Sequence, residues 1–177
     1  MTGRWLLGAA LLLAPTAIQA QVAPSLEARL QRVEDELAIT RIIVDYAAFL
    51  DGRDYAGYAD LFAEDGEWTN AGGTHVGPAA IRTMLEQTLG PAGQPNRANY
   101  HLVSNPRIDL SGDRATATSR YLFVMRGEDG SPTPALAGIY RDEFVRIGGR
   151  WKIRRRVADD IMPTPEEWRQ IIARRQA

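Results

Sequence analysis

YAAFLDGRDYAGYADLFAEDGEW, residues 46–68, is the stretch that decides how this chain is read. Asp51-Gly52 marks the end of a long helix. Asp54 then caps a second, short helix in which Tyr55, Tyr58, Leu61 and Phe62 share helical spacing. A brief strand from Glu67 to Asn70 follows, and Gly72-Gly73 turns the chain, leaving His75 in a polar turn where it is expected to be exposed. Upstream, Ser25 caps the long helix and Glu27 suits the positive end of its dipole. The apolar positions Leu26, Leu30, Val33, Leu37, Val44 and Ala47 of that helix follow helical spacing.

Downstream, Gly77-Pro78 opens a third helix, because proline fits the first helical position. The pattern then changes to four extended segments, Tyr100 to Leu110, Arg114 to Arg126, Leu136 to Ile147 and Arg150 to Ile161. Ser111-Gly112-Asp113, Glu128-Asp129-Gly130 and Gly148-Gly149 supply the reversals between them. Thr164 and Glu167 form a capping box that starts a terminal helix. Helices first and a meander afterwards predict an α+β domain in which a curved antiparallel sheet wraps around the N-terminal helices.

Residues 1–20 read as an export signal: Arg4, an apolar run from Trp5 to Ile18, and Ala20 before Gln21. Pro15, Thr16 and Gln19 leave that run short of the roughly 20 apolar residues that span a bilayer. The expectation is therefore cleavage, one domain over residues 21–177, and a periplasmic or secreted protein with no membrane contact after cleavage. The chain has no Cys, which excludes disulfides, thiolate catalysis, Cys-ligated zinc and iron–sulfur chemistry. A formal charge of −1 offers no field for a polyanion. The basic run Lys152, Arg154, Arg155 and Arg156 lacks interleaved aromatics, so no nucleic-acid partner is expected. The two histidines are not in ligand spacing, and no metal site is expected.

Three stretches, residues 46–68, YHLVSN at 100–105 and GIYRDEFVRIGGRWKI at 138–153, resemble the SnoaL-like branch of the NTF2-like superfamily. They are similar to its lyase members scytalone dehydratase and hexachlorocyclohexane dehydrochlorinase, over about Leu30 to Met162. The resemblance implies a cone-shaped α+β fold around one small-molecule pocket, working without a cofactor, as a homodimer or homotrimer. It also implies a catalytic pair at Asp51 and His101. A carboxylate accepting from one ring nitrogen fixes the tautomer and leaves the other nitrogen to act as a general base.

Nearness to Asp51 and strand alternation, with the sheet's register set by the resemblance, place further residues in the pocket. From the helical side come Tyr46 and Leu50, and from the first short strand Trp68 and Asn70. The sheet contributes Tyr121, Phe123 and Met125, then Leu136, Gly138 and Tyr140, then Arg156, Ala158 and Asp160, since alternate residues share a face. Periodicity alone turns Trp151, Ile153 and Val157 inward and sends Arg156 to solvent. The resemblance implies the reverse, with Arg156 assisting a leaving group and Trp151 and Ile153 on the outer layer. Scytalone dehydratase has a second histidine where this chain has Met125 and a tyrosine where it has Asn70. The dehydrochlorinase has lysine or glutamine in place of Tyr46. Tyr46 and Tyr140 are instead suited to donate hydrogen bonds to developing negative charge.

The resulting expectation is a lyase of the dehydratase or elimination type, or an isomerase, acting on a small apolar, aromatic or polycyclic substrate. His101 is its base, Asp51 orients that base, and Arg156 and Tyr46 assist. Two other readings stay open: a non-catalytic small-molecule-binding or assembly module, and an isomerase in which Asp51 itself is the base.

Overall fold

The computed structural model describes residues 23–175; the expected export segment, residues 1–20, lies outside them. The elements run α1 (Leu26–Asp51), α2 (Tyr55–Asp60), β1 (Phe62–Asn70), β2 (Gly73–Val76), α3 (Pro78–Leu89), β3 (Asn99–Ser111), β4 (Arg114–Arg126), β5 (Pro132–Ile147), β6 (Arg150–Met162) and α4 (Pro165–Arg175). The caps are those expected. Ser25 Oγ accepts the Ala28 N–H at 3.1 Å and Asp54 Oδ1 accepts the Gly57 N–H at 2.9 Å. The Thr164 N–H donates to Glu167 Oε2 at 2.7 Å. Each bond satisfies a backbone group that the helix leaves unpaired.

The six strands form one curved, unclosed sheet in the order β2-β1-β6-β5-β4-β3. Every pairing is antiparallel except β1 with β6, which is parallel. Phe62 opens β1 and pairs with Ile153, whereas helical spacing puts it in the second helix. The Ile153 N–H donates to the Leu61 carbonyl at 2.8 Å, so the sheet claims the chain one residue past α2. The expected turn at His75 is strand β2, which places His75 opposite Trp68 with ring centroids 6.0 Å apart. His75 is thus half-buried, not exposed.

Helix α1 has two apolar faces. Ile39, Ile42, Ile43, Tyr46 and Leu50 are buried against the sheet. The stripe Leu26, Leu30, Val33, Leu37 and Val44 faces outward, at 52–77% exposure. Helical spacing marks both sets, and only tertiary packing chooses between them. Asp35 fastens the middle of the helix to the sheet, accepting from Arg146 Nη2 at 2.5 Å, Trp151 Nε1 at 3.0 Å and Gln31 Nε2 at 3.1 Å.

The disagreement over β6 has a geometric resolution. Glu143 pairs with Arg155 but the next residue, Phe144, pairs with Ile153, so Arg154 is an extra residue in the ladder. Such a bulge shifts the alternation by one. Trp151 and Ile153 before it are buried, at 6% and 0% exposure, and Arg156 after it is buried as well. Periodicity is right on one side of the bulge and the family pattern on the other. Trp151 and Ile153 therefore belong to the core and not to an outer layer, while Val157 is only partly buried.

The core joins α1 to Ala115 and Ala117 of β4, Phe144 of β5 and the Trp151–Ile153 segment of β6. Ala115 and Ala117 belong to this filled end of the sheet. Towards the other end the inner face carries aromatics, and there the fold stays hollow.

Candidate active site

The hollow is a cavity of about 650 Å³ between the sheet, α1, α3 and α4. Of the residues expected there, Tyr46, Leu50, Trp68, Asn70, His101, Tyr121, Phe123, Met125, Leu136, Tyr140, Ala158 and Asp160 line it. The last turn of α1 delivers Asp51, and the first turn of chain in β3 delivers His101 beside it. Asp51 Oδ1 lies 2.6 Å from His101 Nδ1, and the His101 backbone N–H donates to Asp51 Oδ2 at 2.8 Å. With Nδ1 held by the carboxylate, Nε2 is the nitrogen left for the cavity. The imidazole is also held by the Phe123 ring, centroid to centroid 4.7 Å. Both Asp51 oxygens are occupied and Asp51 does not line the cavity, so the geometry favours His101 over Asp51 as a base.

A polar cluster that the sequence does not reveal stands behind Asp51. Arg53 is buried and adopts a left-handed backbone, φ 57°. Its Nη2 donates to Asn99 Oδ1 at 2.6 Å and to Asn96 Oδ1 at 3.2 Å, and its Nη1 to the Leu50 carbonyl at 3.3 Å. Asn99 Nδ2 reaches Asp51 Oδ1 at 3.4 Å, and Asn96 Nδ2 donates to the Asp51 carbonyl at 3.0 Å. The helix terminus and the start of β3 are thereby tied together at the point where the pair must meet. Such outlying hydrogen bonds lock the rotamers of a site.

Arg156 is drawn inward, as the family pattern implies, but it does not reach the cavity surface. It is fully buried, with Nε and Nη2 donating to the two Asp142 oxygens at 2.6 and 2.7 Å. Its guanidinium carbon lies 3.9 Å from the Tyr46 ring centroid and 4.6 Å from that of Tyr140. Burial pulls against its charge, and Asp142 more than offsets that, holding it above the ordinary arginine range. Arg156 thus acts on the cavity only through the tyrosines that cover it. A direct contact with a leaving group is not available to it.

Those tyrosines form the polar part of an apolar wall. Trp68 Nε1 donates to Tyr46 Oη at 2.9 Å, which aims the Tyr46 proton elsewhere. Tyr58, 4.6 Å from Tyr46 ring to ring, lines the cavity, and its buried hydroxyl has no hydrogen-bond partner among the described residues. Burial pushes the pKa of Tyr58 and of Tyr140 well above the ordinary phenol value. Tyr121 is raised by burial and by its hydrogen bond to Asp160. All three hold their protons and act as neutral donors.

Sequence patterns missed the cover as well. Pro165, Trp168, Arg169 and Ile172 of α4 line the cavity, as do Met84 and Leu89 of α3. The capping box marks α4 as a helix but says nothing of where it lies. A second depression, of about 660 Å³, sits at the far edge between α2, α3 and β6. It holds no histidine, and its Lys152 is paired with Asp60.

A family model for the SnoaL-like domain matches residues 31–157. The chain belongs to the SnoaL-like domain family. Among its relatives is the gamma-hexachlorocyclohexane dehydrochlorinase of Sphingobium indicum, 27% identical over 138 residues, which cover 77% of this chain and 86% of the relative. An NTF2-like protein of cystatin-like fold from Novosphingobium aromaticivorans superposes with TM-score 0.69 at 26% identity, covering 80% of this chain and 91% of that one. A protein of the same organism, provisionally named a scytalone dehydratase, gives TM-score 0.65 at 30% identity, covering 76% and 89%. The NTF2-like α+β fold of this SnoaL-like chain is thus shared with relatives that include lyases.

Proposed function

We propose that this SnoaL-like protein is a cofactor-independent lyase that eliminates HX across two adjacent carbons of a small, largely apolar, cyclic substrate. The observation that carries the reading is the 2.6 Å contact between Asp51 Oδ1 and His101 Nδ1 at the wall of an aromatic-lined cavity. His101 Nε2 takes the proton from one carbon. The C–H pair becomes the new C=C bond, and X leaves the neighbouring carbon with its bonding pair. Asp51 stabilises the imidazolium so formed. The Tyr46 hydroxyl donates to the departing X, and an enolising substrate would place its developing oxyanion there, giving isomerisation by the same base. Arg156 polarises this wall from behind.

The lyase relatives support elimination, and the cavity supports an apolar ring: it is lined mostly by aromatic and aliphatic side chains with few polar groups, as small-molecule sites are. The segment from Arg4 to Ala20 supports a place of work in the periplasm or outside the cell, which mass analysis of the processed chain tests: a mature start at Gln21 is expected. The activity is tested by incubating the protein with chlorinated alicyclic compounds and with alicyclic and aromatic alcohols, and analysing products by mass. Loss of HX by the wild type and none by His101→Ala, with the melting temperature held, is the expected result. Elimination that survives His101→Ala refutes the assignment.

A further inference from the structure

From Leu26 through Glu34 every residue of α1 is exposed, so about 13 Å of helix stands clear of its own domain. These are the first turns of a 26-residue helix, and no part of the described domain packs on them. The outward apolar positions are 26, 30, 33, 37 and 44, and the same row passes through Thr40 and Ala47. The steps are four, three, four, three, four, three. That is a heptad seam, with Leu30, Leu37 and Val44 at a and Leu26, Val33, Thr40 and Ala47 at d. Its length is about 30 Å. The polar member, Thr40, is already satisfied, donating to the Glu36 carbonyl at 2.7 Å.

The flanks of the seam say what covers it. The g positions are Arg29, Glu36 and Ile43, the last buried in the domain's own core, and the e positions are Glu27, Glu34, Arg41 and Ala48. In a parallel pair each g residue meets the e residue five positions further along the partner helix. Arg29 then faces Glu34 of a second copy, and Glu36 faces Arg41. Both contacts are attractive, and two-fold symmetry repeats each. Glu36 also pairs with Arg32 of its own helix at 3.1 Å.

We propose that the outward face of α1 is a self-association surface, pairing in parallel with the same face of a second copy of this chain. Burial of the leucines and valines drives the contact, and the flanking charges fix orientation and register, since exposed ion pairs contribute little affinity. The contact is isologous, each residue meeting its own surroundings in the partner. It lies on the side of α1 opposite Ile39, Ile42 and Tyr46, so it leaves the cavity untouched.

Sedimentation velocity and light scattering over a concentration series test this, with circular dichroism and melting as controls on folding. Wild type is expected to associate, and Leu30→Glu/Leu37→Glu to weaken association by at least roughly a hundredfold, because two leucines per chain leave the seam. Orientation is tested by charge exchange. Arg29→Glu/Glu36→Arg alone and Glu34→Arg/Arg41→Glu alone should each associate poorly, and an equimolar mixture of the two should recover wild-type association. A wild type that is monomeric throughout overturns the proposal. So does an oligomer that survives the leucine changes, or a mixture that does not recover.

Discussion

Removing the Asp142 carboxylate should unfold this protein more readily than any comparable change on its surface. Asp142 and Arg156 are both fully buried and joined by two charge-assisted hydrogen bonds of 2.6 and 2.7 Å. Asp142→Leu leaves a guanidinium in the interior with no counter-charge, which costs about 3–5 kcal/mol when a buried pair is broken. In a domain of this size each kcal/mol lowers the melting temperature by about 2–4 °C, so a fall of about 6–20 °C is expected. Arg156→Met/Asp142→Leu removes both charges at once, and it should recover most of that loss. Recovery will be incomplete, because the cation over the Tyr46 and Tyr140 rings is lost as well. Urea unfolding monitored by tryptophan fluorescence gives the free energies, provided the slope with denaturant is unchanged. A loss under about 1 kcal/mol for Asp142→Leu, or a double variant no more stable than the single, would refute the claim that Arg156 is sealed beneath the cavity.

Asn99→Ala should leave the fold nearly intact but loosen Asp51, lowering kcat with little change in KM and altering the pH profile of kcat; a pure KM effect contradicts a positioning role. Gly138→Ala should displace Tyr121, since a Cβ at 138 would run into the Tyr121 ring and the Asp159 carbonyl, and ligand affinity should fall with it; unchanged affinity would show that Tyr121 does not shape the cavity. Asp35→Asn should be less stable than wild type at neutral pH. The hydrogen bond from Arg146, opposed by burial and aided by Trp151 and Gln31, holds the Asp35 carboxyl below its ordinary range. That stabilisation is complete above the unfolded carboxyl value of about 3.9 and disappears as pH falls through the lower folded value, so the two proteins should converge in acid. A stability gap that stays constant from neutral pH into acid contradicts it.

The elements whose ends are set by local hydrogen bonds were legible in the sequence. Ser25, Asp54 and Thr164 cap the helices they were expected to cap, because a cap needs only residues three positions apart. Positions that depend on distant partners were not. Nothing in the spacing of Leu26 to Val44 tells that Ile39, Ile42 and Ile43 would win the core, since each set makes a sound helical stripe. The extra residue at Arg154 carries no marker, yet it decides which side of the sheet Arg156 occupies. The wall of the cavity followed from alternation in β4 and β5, where no bulge intervenes before Phe123. Arg53, Asn96 and Asn99 stayed hidden because a short polar loop reads alike whether or not it braces a carboxylate. The place of α4 over the cavity is likewise tertiary.

The neutral tautomer of His101 is the quantity on which the chemistry turns. Nitrogen-15 spectroscopy of a His75→Gln protein, in which His101 is the sole histidine, reads it directly. A proton on Nδ1, with Nε2 bare towards the cavity, and loss of that preference in Asp51→Asn, is the result expected. A ring protonated on Nε2, or one indifferent to Asp51, would leave no base facing the substrate.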